Sequence, residues 1–383
     1  MTAWKLAERG ARVLLVDQKS VVGKPVKCGE GMSGFALESN GLPTSASYIV
    51  KPVEGTKIVS PNNNYYFMKE PGYCVDRAAL DQWLVEQAVG CGAELKLSTH
   101  VKNVKNVKNV KNVKNVKNVK NVGGWRVETS DGIFSSKVVV AADGAWSRIG
   151  RMAGLPGNSR MSKGLQYKFD ISQCPGELKD REWIRFYFGS AFPEGYAWAF
   201  DRDRELSVGV CGQGNMARAL KIFCKRIGVD ASKRREINAG MIPVGGMNAS
   251  VSGDAIITVG DAAGLTNPIS DGGNHVALYS GRIGAEAIME YMGGSAGALK
   301  DYENTLRSSP FNHPLMQEGA RAMHRLGDEA WDFFAGMAYG KTFADVSKRE
   351  KAGAFIRHPK NLLHLRKAMT ISRAARIYRR YGW

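Results

Sequence analysis

The segment Val259–Arg282, VGDAAGLTNPISDGGNHVALYSGR, constrains this chain more than any other stretch of it. The apolar run Ala255–Val259 reads as a buried strand that delivers Gly260-Asp261 to a turn, and Gly272-Gly273 then opens a helix running through Ala277 and Gly281. A strand, a glycine-built turn and a helix in this order make an α/β unit. The free N–H groups and dipole at such a helix start stabilise an anionic partner. A carboxylate beside glycines, which let a ligand approach the backbone closely, accepts from a sugar hydroxyl. A glycine-rich turn without a ligand is the alternative reading.

The amino terminus points the same way. Ala3, Leu6 and Ala7 keep helical spacing, Gly10 is a helix stop, and ARVLLVD reads as a buried strand closing on Asp17. This is the second half of a βαβ unit, in which the closing acid takes ribose hydroxyls about 20 residues after the glycine motif of the first turn. Counting back that far from Asp17 passes Met1, so the first strand and its G-x-G-x-x-G turn are expected to be missing from this sequence. Residues 75–97 repeat the pattern, with Leu80, Leu84 and Ala88 on one helical face, Gly90 and Gly92 as a stop, and then a strand.

Seven copies of VKN follow, Val101–Asn121. A period of three matches neither the strand repeat of about 2 nor the helix repeat of about 3.6, so an extended or mobile excursion at a hairpin is expected. After it, GGWRVETSDGIFSSKVVVAADG predicts two antiparallel strands turning at Ser130-Asp131-Gly132, then a buried strand. Residues 164–212 are aromatic-rich with β patterning and predict a separate antiparallel sheet. From about Ser295 the chain reads as helical.

Composition narrows the classes. A chain of 383 residues with 44 % hydrophobic and 23 % charged residues suits two or three soluble units. Its longest apolar stretches fall far short of the roughly 18–20 residues that span a bilayer. Lys5, Glu8, Arg9 and Arg12 interrupt any signal-peptide core, so a cytoplasmic location is expected. The six cysteines form no C-x-x-C and no His/Cys cluster, so reduced thiols and no metal site are expected. The net charge of +18 sits in two patches: seven lysines in residues 101–122, and nine Lys/Arg without an acid in residues 351–383. In the second patch, Leu362, Leu363, Leu365, Met369 and Ile371 interleave with the bases. That composition suits an anionic membrane surface, with a solvated charged face as the alternative. Neither patch carries a nucleic-acid-binding motif, so no nucleic-acid partner is expected.

Four motifs carry a family resemblance. Val259–Arg282 resembles the flavoprotein pattern G-D-A-A-G-x-x-x-P, whose Asp contacts the ribityl–phosphate region of FAD. VVVAADGAWSRIGR resembles the A-D-G-x-x-S-x-x-R segment of the p-hydroxybenzoate-hydroxylase-like flavoproteins through Asp143, Gly144, Ser147 and Arg148. In that group the segment lies near FAD and braces the turn; Asp143 capping a helix at Ala145 is the alternative. KPVKCGEGMS (Lys24–Ser33) resembles the P-x-x-C-x-E/G segment of geranylgeranyl reductases, and FPEGYAWAF resembles their P-x-x-Y-x-W-x-F-P motif through Pro193, Tyr196, Trp198 and Phe200. The resemblance covers nearly the whole chain outside the VKN tract. Beside the missing glycine motif, Asp201 replaces the final Pro, and Asp271 replaces a glycine of G-G-G, where it either faces the flavin or caps the helix.

The resemblance implies an α/β (α+β) fold: a Rossmann-like, three-layer FAD-binding domain from residues 1–160 and 240–294, an inserted antiparallel β substrate domain over 161–239, and a helical region over 295–383. It implies cofactor contacts from Asp17, Cys28, Gly29, Arg77, Asp143, Gly144, Gly260, Asp261, Gly272 and Gly273. Tyr196, Trp198 and Phe200 alternate along a strand and share one face, a wall for a polyprenyl substrate or ordinary sheet core. Cys28, beside the flavin or a plain buried thiol, and Tyr196, for proton delivery or cavity shape, are the catalytic candidates. The implied function is FAD-dependent hydrogenation of geranylgeranyl double bonds, on the diphosphate or on archaeal-type ether lipids, at the cytoplasmic face of a membrane. NADPH or ferredoxin would be the reductant. An aromatic monooxygenase of the same fold and a flavin-free lipid-binding remnant are the competing readings.

Overall fold

The computed structural model describes residues 1–107 and 124–378; the greater part of the VKN tract and Arg379–Trp383 lie outside the described residues. The amino-terminal helix α1 (Thr2–Ala7) ends in a turn closed by Gly10 at φ +80°, and β1 (Leu14–Val16) follows. Then come β2 (Gly31–Ser33), α2 (Gly34–Glu38), β3 (Ile49–Val59), β4 (Tyr65–Val75), α3 (Arg77–Gly90) and β5 (Glu94–Lys96). The first two VKN copies form β6 (Val101–Asn106), which pairs antiparallel with β7 (Trp125–Thr129). β7 turns through Ser130-Asp131 into β8 (Gly132–Ser136), and β9 (Val139–Ala141) and α4 (Arg148–Met152) follow. The strands flanking the repeat are therefore paired as expected, while the extended or mobile excursion expected of the repeat lies outside the described residues.

Next come β10 (Met161–Asp170), β11 (Trp183–Tyr187), β12 (Tyr196–Arg202), β13 (Glu205–Gly212), α5 (Met216–Arg226), β14 (Glu236–Pro243), β15 (Ser252–Gly253) and β16 (Ile256–Thr258). The remainder is helical: α6 (Asn274–Met292), α7 (Ala298–Ser308), α8 (Pro314–His324), α9 (Asp328–Met337), α10 (Lys348–Arg357) and α11 (Leu365–Tyr378).

Outside the large sheet, parallel pairing occurs in two short pieces, β1 with β5 and β16 with β9, as expected of an α/β unit. The large sheet has eight strands in the order β14-β10-β13-β12-β11-β3-β4-β2. Three of them, β2, β3 and β4, come from residues 31–75, so this sheet draws on chain well upstream of residue 161. The long β3–β4 hairpin closes against β11 in parallel register, Lys57 opposite Arg185. One face of the sheet carries Leu206, Val208, Val210 and Ala197 against α5; the other packs Tyr196, Trp198 and Phe200 toward α8 and α9. A third core gathers α6 and α7 over β16, with Leu6 and Val13 joining Ile257 and Ile288.

Candidate active site

The site is assembled from turns at the carboxyl ends of parallel strands, where ligands of open α/β sheets bind. β9 and β16 are in register with Ala141 opposite Thr258, so the Asp143 and Asp261 turns emerge side by side. Asn158 ties them together: its Nδ2 donates to the carbonyl of Ala145 (2.6 Å) and to that of Asp261 (2.8 Å). A second chain of bonds reaches the Asp17 turn. Arg148 donates to His100 Nε2 (2.9 Å), and His100 Nδ1 lies 3.1 Å from Gln18 Oε1. Because arginine only donates, Nε2 accepts and Nδ1–H donates to Gln18. Asp17 itself closes β1 and accepts from the Lys19 N–H at 2.9 Å.

Asp143 braces its turn. Its Oδ2 accepts from the Ile149 N–H at 2.8 Å, inside the first turn of α4. The cap expected at Ala145 therefore falls a few residues later, because the chain turns through Gly144 at φ +77° and Ser147 at φ +42° before it becomes helical.

At the start of α6 the packing is close. A Cβ on Gly273 would lie 2.8 Å from Asp261 Oδ1, so only glycine lets the carboxylate rest on this backbone. Burial pushes the Asp261 carboxyl up to about 6, and the Arg77 guanidinium opposes that shift. Arg77, the first residue of α3, holds Asp81 at 2.8 Å and also faces Cys28 and Glu30. Its Nε is buried without a hydrogen-bond partner. The Cys28 sulfur accepts from Asn274 Nδ2, on the first residue of α6, at 3.3 Å and from the Glu30 N–H at 3.2 Å. Burial raises the thiol, so Cys28 stays protonated at neutral pH. Gly260, Asp261, Gly272, Gly273, Arg77 and Cys28 thus surround one helix end.

The aromatic residues adjoin it. Tyr196, Trp198 and Phe200 stand in a row with ring centroids 6.1 Å and 6.4 Å apart, and Phe186 lies 5.2 Å from the first and the third. The Trp198 ring lies over Gly209 on β13, where a Cβ would come within 2.1 Å of it. On the other side, a Cβ on Gly29 would sit 3.2 Å from Phe200 and 3.5 Å from Trp198 Nε1. The Cys28-Gly29 loop therefore rests directly on the aromatic row. The Trp198 indole donates to Gln166 Oε1 (3.1 Å) and Ser207 Oγ (3.3 Å), and the Tyr196 hydroxyl donates to the carbonyl of Ser270. All three rings are also core: they share a cluster with Met316, Met323, Trp331 and Phe334.

The sequence motifs mark Glu30, Asp201 and Asp271 but not the partners they find in the fold. Glu30, 1 % exposed, is held by Lys168 Nζ at 2.8 Å, Arg202 Nη1 at 2.9 Å and the Arg77 N–H at 3.1 Å. Lys168 and Arg202 also pair with Glu205, and Asp201, in the place of the family's proline, pairs with Lys51 at 3.3 Å. Asp271 does not cap α6; Gly273 occupies that position without a side-chain bond. The Asp271 backbone is left-handed at φ +53°, and burial pushes its carboxyl up to about 7, opposed by the Cys211 thiol and the Arg160 guanidinium. Asn158 and Glu30 find their partners only through long-range folding, whereas Asn274 adjoins the Gly272-Gly273 pair that already marked the helix start.

No family model matches the chain. It is 31 % identical over 325 residues to digeranylgeranylglycerophospholipid reductase 2 of Methanopyrus kandleri, covering 79 % of this chain and 78 % of the relative. It is 30 % identical over 389 residues to digeranylgeranylglycerophospholipid reductase 2 of Methanosphaera stadtmanae, covering 96 % and 95 %. Among solved structures, a geranylgeranyl bacteriochlorophyll reductase-like protein from Thermoplasma acidophilum superposes with TM-score 0.76 at 22 % identity, covering 95 % of both chains. A flavin-dependent brominase superposes with TM-score 0.65 at 17 % identity, covering 94 % of this chain and 96 % of its own. The fold is therefore that of flavin-binding reductases and halogenases. With near-full-length identity to the archaeal enzymes, the chain belongs to the digeranylgeranylglycerophospholipid reductase family.

Proposed function

We propose that this chain is an FAD-dependent reductase that hydrogenates the carbon–carbon double bonds of geranylgeranyl chains on a glycerophospholipid. The observation that carries the reading is the contact of the Cys28-Gly29 loop with both the start of α6 and the row of Tyr196, Trp198 and Phe200. A polar helix end and an apolar wall meet there, as a flavin and a polyprenyl chain require. The residues present fit the cofactor. Arg77 keeps a buried Nε without a partner, Asp261 is an under-compensated carboxylate on a glycine cradle, and the Asp17, Asp143 and Asp261 turns are linked. Asp17 and Asp261 would take ribose and ribityl hydroxyls, Gly260, Gly272 and Gly273 would admit the backbone approach, and Asp143 with Gly144 would hold the neighbouring turn.

Reduced flavin supplies a hydride. The chain's own residues fix the alkene against the aromatic row, exclude water and stabilise developing positive charge on carbon through the ring faces. Cys28, kept neutral by burial, shapes the flavin-side floor of the site, and Tyr196 anchors the Ser270 turn above it. Purified protein incubated with FAD should be yellow and, with dithionite, should add pairs of hydrogens to geranylgeranylated lipid, read by mass spectrometry. NADPH and reduced ferredoxin, supplied separately, identify the donor. A protein that binds no flavin, or a Cys28→Ala variant with unchanged turnover, overturns the assignment or the role of Cys28 respectively.

The carboxyl-terminal region fits delivery of a lipid. No helix among the described residues is long and apolar enough to cross a membrane. Ile356 and Leu363 are 79 % and 82 % exposed, with Leu362 and Met369 also exposed, among Arg349, Lys351, Arg357, Lys360, Arg366 and Lys367. Apolar side chains interleaved with bases suit the surface of an anionic bilayer. Binding to phosphatidylglycerol vesicles should weaken as salt rises, and a chain lacking residues 351–383 that still partitions fully would rule the segment out.

A further inference from the structure

We propose that Asn274 is the positioning residue for Cys28, fixing the sulfur where the start of α6 meets the aromatic row. The inference rests on the reductase reading above and adds a residue to it. Asn274 is the first residue of α6, and its side chain leaves the helix to reach a loop 246 residues away in sequence. There its Nδ2 donates to the Cys28 sulfur at 3.3 Å, beside the Glu30 N–H, which donates at 3.2 Å. The second bond lies within the loop; the first ties the sulfur to another element.

The residues on either side of Cys28 are held by packing on the large sheet. A Cβ on Gly240 of β14 would sit 3.7 Å from the Lys27 Cβ, and a Cβ on Gly29 would sit 3.2 Å from Phe200 and 3.5 Å from Trp198 Nε1. Beyond them, Lys168 and Arg202 grip the Glu30 carboxylate. These contacts fix the main chain of the loop. None of them sets the Cys28 rotamer, and the Asn274 bond does.

Two N–H donors on one sulfur also decide where its hydrogen lies. A thiol sulfur accepts weakly and carries a single hydrogen, so with both donors aimed at its lone pairs the S–H is left the direction away from Asn274 and the Glu30 backbone. Burial raises the thiol and the Glu30 carboxylate adds to the rise; the Arg77 guanidinium at the start of α3 and the Asn274 amide act against it. The sulfur is therefore neutral at rest yet met by donors that favour negative charge on it. Its direction and its acidity both run through Asn274.

The test reads the sulfur directly. The S–H stretch falls in an infrared window clear of other protein bands, and the difference between wild type and Cys28→Ala isolates the Cys28 band. Asn274→Ala should shift that band. It should also slow alkylation of Cys28 by iodoacetamide about tenfold at a given pH, followed by peptide mapping, because the thiolate is the nucleophile and has lost a donor. Asn274→Asp, which suits the first turn of a helix and so keeps the fold, should slow it further by placing a like charge beside the thiolate. In turnover of geranylgeranylated phospholipid with dithionite, both variants should lower kcat about tenfold, with KM and flavin affinity unchanged. An S–H band unmoved in Asn274→Ala, wild-type alkylation in both variants, or unchanged turnover overturns the proposal. A loss of flavin that accounts for the lost turnover also overturns it, by making Asn274 a cofactor contact. Wild-type protein that takes up no flavin overturns the reductase reading instead, while the infrared shift still reports the bond between Asn274 and Cys28.

Discussion

Two groups of buried acids flank Cys28, and they are built differently. Beneath the loop, Glu30 is met by Lys168, Arg202 and the Arg77 N–H, and Glu205 balances the second positive charge. In front of α6, Asp261 and Asp271 have one opposing cation each, Arg77 and Arg160, and both carboxyls are pushed up, to about 6 and about 7. The first group spends its charge internally and fixes geometry. The second keeps electrostatic capacity that a ligand or a proton can use. Compensated and under-compensated charge therefore sit on separate carboxylates.

The comparison breaks most sharply at Glu30. Glu30→Gln leaves the buried Lys168 and Arg202 with Glu205 between them and the more exposed Glu236 3.8 Å from Lys168, and should cost about 3 kcal/mol in denaturant unfolding. Adding Lys168→Met should recover part of that loss; if the single variant is as stable as wild type, the knot does not fix the loop.

Asp261 should behave in the opposite sense. Its folded-state carboxyl lies above the ordinary value, so the flavin-free protein binds more protons than the unfolded chain between about pH 4 and 6, and stability falls as pH rises through that window. Asp261→Asn should therefore stabilise flavin-free protein by about 2 kcal/mol above pH 7, with no gain near pH 4, and should weaken FAD binding at least tenfold. Thermal unfolding at the two pH values and a flavin titration check both halves.

Smaller changes sharpen the boundary between the groups. Tyr196→Phe removes one hydrogen bond to the Ser270 carbonyl and should cost about 1 kcal/mol, with a larger effect on turnover than on flavin affinity. Leu363→Asp, on a side chain with almost no packing, should change stability by less than about 0.5 kcal/mol yet reduce vesicle binding.

What was legible in the sequence follows from locality. The β16–turn–α6 unit was readable because glycine punctuation, an apolar run and a carboxylate lie within about thirty residues. The β6–β7–β8 meander was readable for the same reason. The hairpin of β3 and β4 was not: Pro52, Gly55 and Pro71 interrupt its alternation, and its register shifts between Val53 and Gly55. The aromatic row was correctly placed on one face, but its double duty as core appears only once α8 and α9 cover it. Asn158 joins carbonyls 13 and 103 residues away, and Glu30 meets a guanidinium 172 residues away. No local pattern announces such partners.

The amide of Asn158 has a consequence for kinetics. With both of its N–H groups committed, one to each loop, neither loop can swing outward without stripping a bond from the other. Entry and departure of a dinucleotide would then be a single concerted opening, seen as one exponential in stopped-flow fluorescence. Asn158→Ala would split it into two independent phases.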